Sequence, residues 1–431
     1  MSFALLLLIG ALFVLAGIGV PIAYSILAAS MLYVAVAGQS VGIVGKTMVD
    51  GLYQSFLLLA VPLFIVAANI MNAGTISDRL LRFSVAVVGR FRGGLGHVNV
   101  MASLIFSGMS GSAVADAAGI GKLIIEMMTK EGRYPRGYAA AITAASATIG
   151  PIIPPSIPMV LYALVSNASI GYLFLGGIVP GLMMGAVLMA MNAWMAHRRG
   201  FAVEASVPLR DMPRVTVKAV PALLMPAILL YGIYGGVTTP TEAAAVAAAY
   251  ALILSALVYR ALKARQFFTI LVDSARASAA VGLVIGGALI LNYIVASENI
   301  PAQMSKALVG LEVHPLMFFF AVNLVVLLLG CLLDATTLIL VIVPLFIPTA
   351  RELGIDLVHF GVVIVVNAMI GLITPPYGIL LFVINAVTRI PLGEIIREVL
   401  PFLAVLIAAL VVMILVPDIV LFVPRLIGYG G

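Results

Sequence analysis

Apolar runs follow one another along almost the whole chain, broken by short polar stretches. They cover approximately residues 3–19, 21–38, 51–72, 97–127, 137–166, 171–197, 216–237, 240–262, 268–296, 314–350, 357–388 and 399–425. A helix that crosses a bilayer needs about 20 such residues. The runs do not alternate apolar with polar residues as barrel strands do, so the pattern predicts an all-α polytopic membrane protein. The polar stretches are basic: Arg79–Arg92, Lys130–Arg136, His197–Lys218, Arg260–Arg265 and Arg389–Arg397. Positive loops stay in the cytoplasm, so the segments between successive clusters must cross an even number of times, or enter and leave on one side.

Two runs have polar centres. The run at 97–127 holds "SGMSGSAVADAAG", too rich in Ser and Gly for a lipid-facing helix. Two spans with a tight turn or a re-entrant hairpin would both satisfy the charge rule. We favour a hairpin over about 95–129 that opens to the cytoplasm, because non-helical backbone survives at membrane depth only inside protein or beside water. The run at 314–350 carries Gly330 and Asp334 at its centre between flanks that are not strongly basic. A hairpin there would open to the outside.

Each hairpin is followed by a paired proline. Residues 149–158 read "IGPIIPPSIP" and residues 370–379 read "IGLITPPYGI", matching at Ile149/Ile370, Gly150/Gly371, Pro154/Pro375 and Pro155/Pro376, always 221 positions apart. "GVP" at 19–21 and "GVTTP" at 236–240 form a third match. Repeated sequence with opposite orientation predicts two inverted-topology repeats. The first spans about 1–200, with a broken helix at about 137–166. A cytoplasmic linker at 201–215 leads to the second, at about 216–431, with a broken helix at about 357–388.

Proline removes an N–H and crowds the carbonyl four residues back, so these pairs should free the carbonyls of Gly150, Pro151, Gly371 and Leu372. Free carbonyls at membrane depth suit a hard cation, which takes oxygen ligands. Hydroxyls and a carboxylate stand close in sequence: Ser107, Ser110, Ser112 and Ser156 in the first half, Asp334, Thr336, Thr337, Thr374 and Tyr377 in the second. The pattern predicts two cation sites, each where a hairpin tip meets a broken helix. Asp116 and Asp334 are intramembrane carboxylates, functional candidates by default. Asp334 is the better cation candidate, and Asp116 reads equally well as a structural cap. Glu242 follows Pro240 at a helix start, where a carboxylate is structural. Half-helix N-termini around the breaks would favour an anionic substrate.

Composition narrows the classes. The chain of 431 residues is 63% hydrophobic and 9% charged, against about 25% charged in soluble domains. Its net charge of +6 sits in loops between membrane segments and needs no nucleic-acid partner. One cysteine, Cys331, excludes an internal disulfide framework or thiolate cluster. The four histidines lack metal-ligand spacing, and no organic cofactor fingerprint occurs.

Four motifs, "GMSGSAVADAAGIG", "IGPIIPPSIPMVLYA", "TTPTEAAAVAAAYAL" and "GLITPPYGILLF", together resemble the large membrane subunit (DctM-like) of tripartite ATP-independent periplasmic (TRAP) transporters. The resemblance covers essentially the whole chain. It implies sodium-coupled import of an organic acid anion across a bacterial inner membrane by an elevator mechanism, with no enzymatic activity. Its implied partners are a periplasmic substrate-binding protein and a small four-helix membrane subunit, here a separate chain, besides membrane lipid. Carried over, sodium site 1 would use Ser107, Gly108, Ser112, Gly150, Ile153 and Ser156. Sodium site 2 would use Gly330, Asp334, Gly371, Thr374 and Tyr377. Ser110, Pro155, Thr336 and Pro376 would face the substrate. The halves differ in detail, Ile153 facing Thr374 and Ser156 facing Tyr377. A stand-alone sodium–dicarboxylate carrier of similar fold is the nearest rival. An intramembrane aspartyl protease using Asp116 and Asp334 is a distant one, since Asp334 lacks the Gly-x-Gly-Asp turn. Dicarboxylate, sialic acid, keto acid and sulfonate all fit as cargo.

Overall fold

The computed structural model describes residues 2–72, 76–201, 203, 208–300, 303 and 314–431, so the linker expected at 201–215 lies partly outside the described residues. It is built from helices, with no strand among the described residues beyond an isolated bridge between Arg92 and Val203. The chain opens with α1 (Phe3–Gly17), α2 (Ile22–Val36), α3 (Gly42–Gln54) and α4 (Ala60–Asn72). Ser55 is extended, and the helical segments on either side of it are inclined by 74°. The apolar run at 51–72 is therefore a bent pair that begins at residue 42.

Helix α5 (Ile76–Val88) arises where the sequence shows only a basic cluster. Ile76, Leu80 and Ser84 recur at every fourth position and are buried, which leaves Arg79 and Arg82 on the other faces. The first hairpin rises as α6 (Gly94–Ser110) and turns at Gly111, whose φ of +58° suits glycine. It then descends as α7 (Ala113–Asp116), a π turn at Ala117–Gly121 and α8 (Lys122–Thr129). The first broken helix is α9 (Arg136–Ala147) and α10 (Ile157–Ser166), followed by α11 (Ile170–Arg198), α12 (Met212–Tyr234), α13 (Pro240–Ile253) and α14 (Ala264–Ser297). The second hairpin rises as α15 (Pro315–Gly330). It descends through α16 (Ala335–Thr337), a π turn at Leu338–Ile342, a 3₁₀ turn at Val343–Leu345 and α17 (Ile347–Glu352). The second broken helix is α18 (Leu357–Gly371) and α19 (Ile379–Thr388), and α20 (Leu392–Leu415) and α21 (Asp418–Leu426) complete the chain.

Five helices are long and apolar enough to cross a membrane, six if the bent α3–α4 pair is one span, among the described residues. The hairpin arms and half-helices are shorter. The chain is a multi-pass membrane protein. Its centre is set by the first halves of the broken helices, where every residue from Gly137 to Ala147 and from Val358 to Gly371 is buried. Helix α9 packs on α6, α8 and α20, and α18 on α15, α11 and α20, while α13 and α14 pack on α4.

The two halves share local geometry at the sequence spacing. The π turns at 117–121 and 338–342 are 221 positions apart, as are the cis bonds Pro154–Pro155 and Pro375–Pro376. Glu242 forms a capping box at the start of α13. The Glu242 amide donates to the Thr239 hydroxyl (3.3 Å), and the Thr239 amide donates to the Glu242 carboxylate (2.7 Å). That is the structural role its position suggests.

Candidate functional site

Both hairpins meet the broken helix that follows them, in different registers. In the second half the contact is bare backbone: a Cβ on Gly371 would lie 2.8 Å from the Cα and carbonyl carbon of Gly330. The Gly378 amide donates to the Cys331 carbonyl at 3.1 Å and stitches the tip to the break. In the first half Gly111 takes this place, since a Cβ there would lie 2.7 Å from the Pro155 carbonyl oxygen. Gly108 packs against the Pro226 ring on α12, and a Cβ there would lie 3.8 Å from the Pro154 carbonyl oxygen of the break. Proline fits there because Gly108 has no side chain.

The carbonyls at the breaks are less free than two prolines alone imply. The Gly371 carbonyl accepts the Thr374 amide and the Leu372 carbonyl accepts the Leu380 amide, each at 3.0 Å. The Pro151 carbonyl accepts the Ser156 hydroxyl. The Gly150 carbonyl accepts nothing among the described residues. The chain turns sharply after each half-helix, which brings later donors back onto these oxygens; each carbonyl still keeps a second lone pair.

The remaining predicted residues divide. Ser107 is buried and donates to the Leu104 carbonyl (2.6 Å). Ser112 accepts from the Ala115 amide (3.3 Å) as the cap of α7, and Asp334 accepts from the Thr337 amide (3.1 Å) and hydroxyl (2.5 Å) as the cap of α16. Ile153 packs into the space left by Gly181 on α11. Thr374 donates to the Ile370 carbonyl (2.8 Å), and Tyr377 is exposed with its ring against Phe382.

Between the two tips lies a cavity of about 350 Å³. Ser110, Ser112, Asp334 and Thr336 line it from the hairpins, Pro151 and Leu372 from the breaks, and Asn69 and Ala277 from α4 and α14. Pro155 and Pro376 do not line it; Pro155 is buried and Pro376 exposed. No lysine or arginine lines the cavity, and among the described residues no three His, Cys, Asp or Glu side chains cluster as a metal site. A cation here would rest on main-chain and hydroxyl oxygens with one carboxylate.

Asp116 stands out. It is 5% exposed, and neither carboxylate oxygen has a hydrogen-bond partner among the described residues. Its Oδ2 lies 2.5 Å from where a Cβ on Gly150 would stand, and the side chain borders a small void with Asn99, Ser103 and Thr143. A lone buried carboxylate costs several kcal/mol unless a proton or cation neutralises it. Neither oxygen caps a helix here, and the Ser110 side chain is a polar group within reach of it.

Sequence reasoning missed a pair of polar clamps behind each tip. The Asn367 amide on α18 donates to the Asn323 side-chain oxygen on α15 (2.7 Å), and the Ser146 hydroxyl on α9 donates to the Asn99 oxygen on α6 (3.1 Å). Asn69 on the cavity wall donates to the Ser274 hydroxyl (2.9 Å) and joins α4 to α14. The signal was present, since a lone asparagine in an apolar helix must find a partner.

Residues 9–419 match the family described as "Tripartite ATP-independent periplasmic transporter, DctM component". The chain is 39% identical over 414 residues to the sialic acid TRAP transporter large permease protein SiaM of Vibrio cholerae, covering 96% of each. It is 37% identical over 421 residues to the 2,3-diketo-L-gulonate TRAP transporter large permease protein YiaN of Escherichia coli, covering 97% of this chain and 98% of that one. The crystal structure of the Alcanivorax borkumensis YdaH transporter shares the fold, with a TM-score of 0.59 at 15% identity over 85% of this chain and 86% of that one.

Proposed function

The chain belongs to the DctM component family of tripartite ATP-independent periplasmic transporters, and on that premise we propose that it imports an organic acid anion across a bacterial inner membrane, driven by sodium. It is a transporter permease rather than an enzyme. The observation that carries the proposal is the shared cavity, to which both hairpin tips contribute hydroxyls and Asp334 contributes a carboxylate. An anionic substrate entering beside Asp334 meets like charge and no basic residue. The substrate is held only when a cation sits close by, and that mutual requirement couples the two. Sialic acid, 2,3-diketo-L-gulonate and isethionate, named for the relatives, are carboxylates and a sulfonate, so the cargo is read as an organic acid anion of one of these two kinds.

Sodium site 2 is assigned to Gly330, Asp334, Gly371, Thr374 and Tyr377. Sodium site 1 is assigned to the Gly150 carbonyl with the Ser107, Ser112 and Ser156 hydroxyls, and the Asp116 carboxylate joins it through its approach to Gly150. The inverted repeats would let the hairpins and broken helices travel together as an elevator against the group built on α4, α13 and α14. A periplasmic binding protein would deliver the substrate and a small membrane subunit would brace the fixed part. The test is uptake of labelled organic acids into proteoliposomes that hold this chain with both partners. Uptake should need inward sodium and the binding protein. Equal uptake in potassium would refute the coupling, and equal uptake without the binding protein would make it a stand-alone carrier.

A further inference from the structure

A second cleft, lined by none of the residues of the cavity between the tips, lies at the end of the bundle that the positive-inside rule puts in the cytoplasm. It has a volume of about 500 Å³ and is lined by Asp78, Arg79 and Arg82 of α5 and by Asp211, Arg214, Val215 and Lys218 at the start of α12. Four cations against two carboxylates leave two positive charges on this wall. Its shape is held from a third side, where the Arg79 guanidinium lies 4.0 Å from the Tyr259 ring centroid and the Tyr259 hydroxyl donates to the Lys218 carbonyl at 3.0 Å. No ion pair ties Arg82, Arg214 or Lys218 to an acid among the described residues, although two aspartates share the cleft. Arg82, Arg214 and Lys218 are exposed. Further along α12 the apolar Val220 and Leu224 are also exposed, so charge gives way to a surface fit for acyl chains.

We propose that this cleft binds a phosphate group at the cytoplasmic membrane surface, in the bilayer that of an anionic lipid. Guanidinium and ammonium groups converging from two helices offer a phosphate several charge-assisted hydrogen bonds. Asp78 and Asp211 limit the affinity, and the net positive charge that remains favours an anion over a zwitterionic headgroup.

The full chain is reconstituted in phosphatidylcholine vesicles containing phosphatidylglycerol, then extracted, and the lipid it retains is measured by native mass spectrometry. Each of Arg82→Gln, Arg214→Gln and Lys218→Gln is expected to cut phosphatidylglycerol retention about fivefold and leave phosphatidylcholine unchanged. The double variant Asp78→Asn with Asp211→Asn should raise retention by a similar factor, which keeps the test open if a cation variant misfolds. Glycerol 3-phosphate is the soluble arm. If it displaces the lipid and stabilises wild type but not Arg82→Gln, the same phosphate site serves a soluble ligand. Lipid retention indifferent to all five residues, with no response to glycerol 3-phosphate, overturns the proposal.

Discussion

Gly371 has no room for one further carbon. A Cβ there would meet the Gly330 backbone at 2.8 Å, and backbone on both sides cannot rotate away as a side chain could. Gly371→Ala is expected to lower sodium-driven uptake at least tenfold with helical content by circular dichroism unchanged. Gly282→Ala on α14, where nothing lies within 4 Å, should be silent in the same assay. Asp116 poses the converse problem, a buried carboxylate that caps no helix. Asp116→Asn is expected to raise the sodium concentration for half-maximal uptake about tenfold, while thermal unfolding in sodium-free buffer stays the same or improves. Unchanged sodium dependence would remove Asp116 from site 1. At this scale the paired prolines and their glycines were legible, because backbone chemistry is local. That Gly111 meets the first break more closely than Gly108 was not. The register of a hairpin against its neighbour is settled by distant contacts such as Pro226, which no local pattern announces.

Elements are held by their ends and by a few buried polar pairs. Thr239 and Glu242 close the N-terminus of α13, and Thr239→Ala should cost about 1 kcal/mol in detergent-solubilised protein, read from thermal or denaturant unfolding. Asn323 and Asn367 clamp the second hairpin to α18, and a double-mutant cycle with leucine at each position should return a coupling near 1 kcal/mol. Hydropathy, with the paired prolines, marked where α6, α9, α15 and α18 end, because polar centres and proline pairs interrupt otherwise unbroken apolar runs. It hid α5, whose apolar stripe is diluted by Arg79 and Arg82, and it hid the bend at Ser55, since both flanking segments are helical and partly apolar. The π turns were invisible too: one extra residue in a helical turn changes the ladder of hydrogen bonds without changing composition.

For the whole molecule the proposed movement carries the hairpin tips past a fixed wall that includes Asn69 and Ala277. Cys331 sits beside that path and is only 7% exposed, so its reaction with a membrane-permeant thiol reagent should be slow, and slower in sodium than in potassium. Identical rates would argue against a sodium-dependent change at the second tip. The overall architecture was readable because a bilayer leaves a chain few options, whereas the cavity and its scaffold wall needed the fold. One property of the second tip sets how freely it can part from its neighbour. One glycine from each side, Gly330 and Gly371, meet there backbone to backbone, and the Gly378 amide on the Cys331 carbonyl fastens the tip. Parting the seam costs that bond and, behind it, the bonds from Asn367 to Asn323, so a hairpin that travels with its broken helix keeps contacts that one swinging alone would lose.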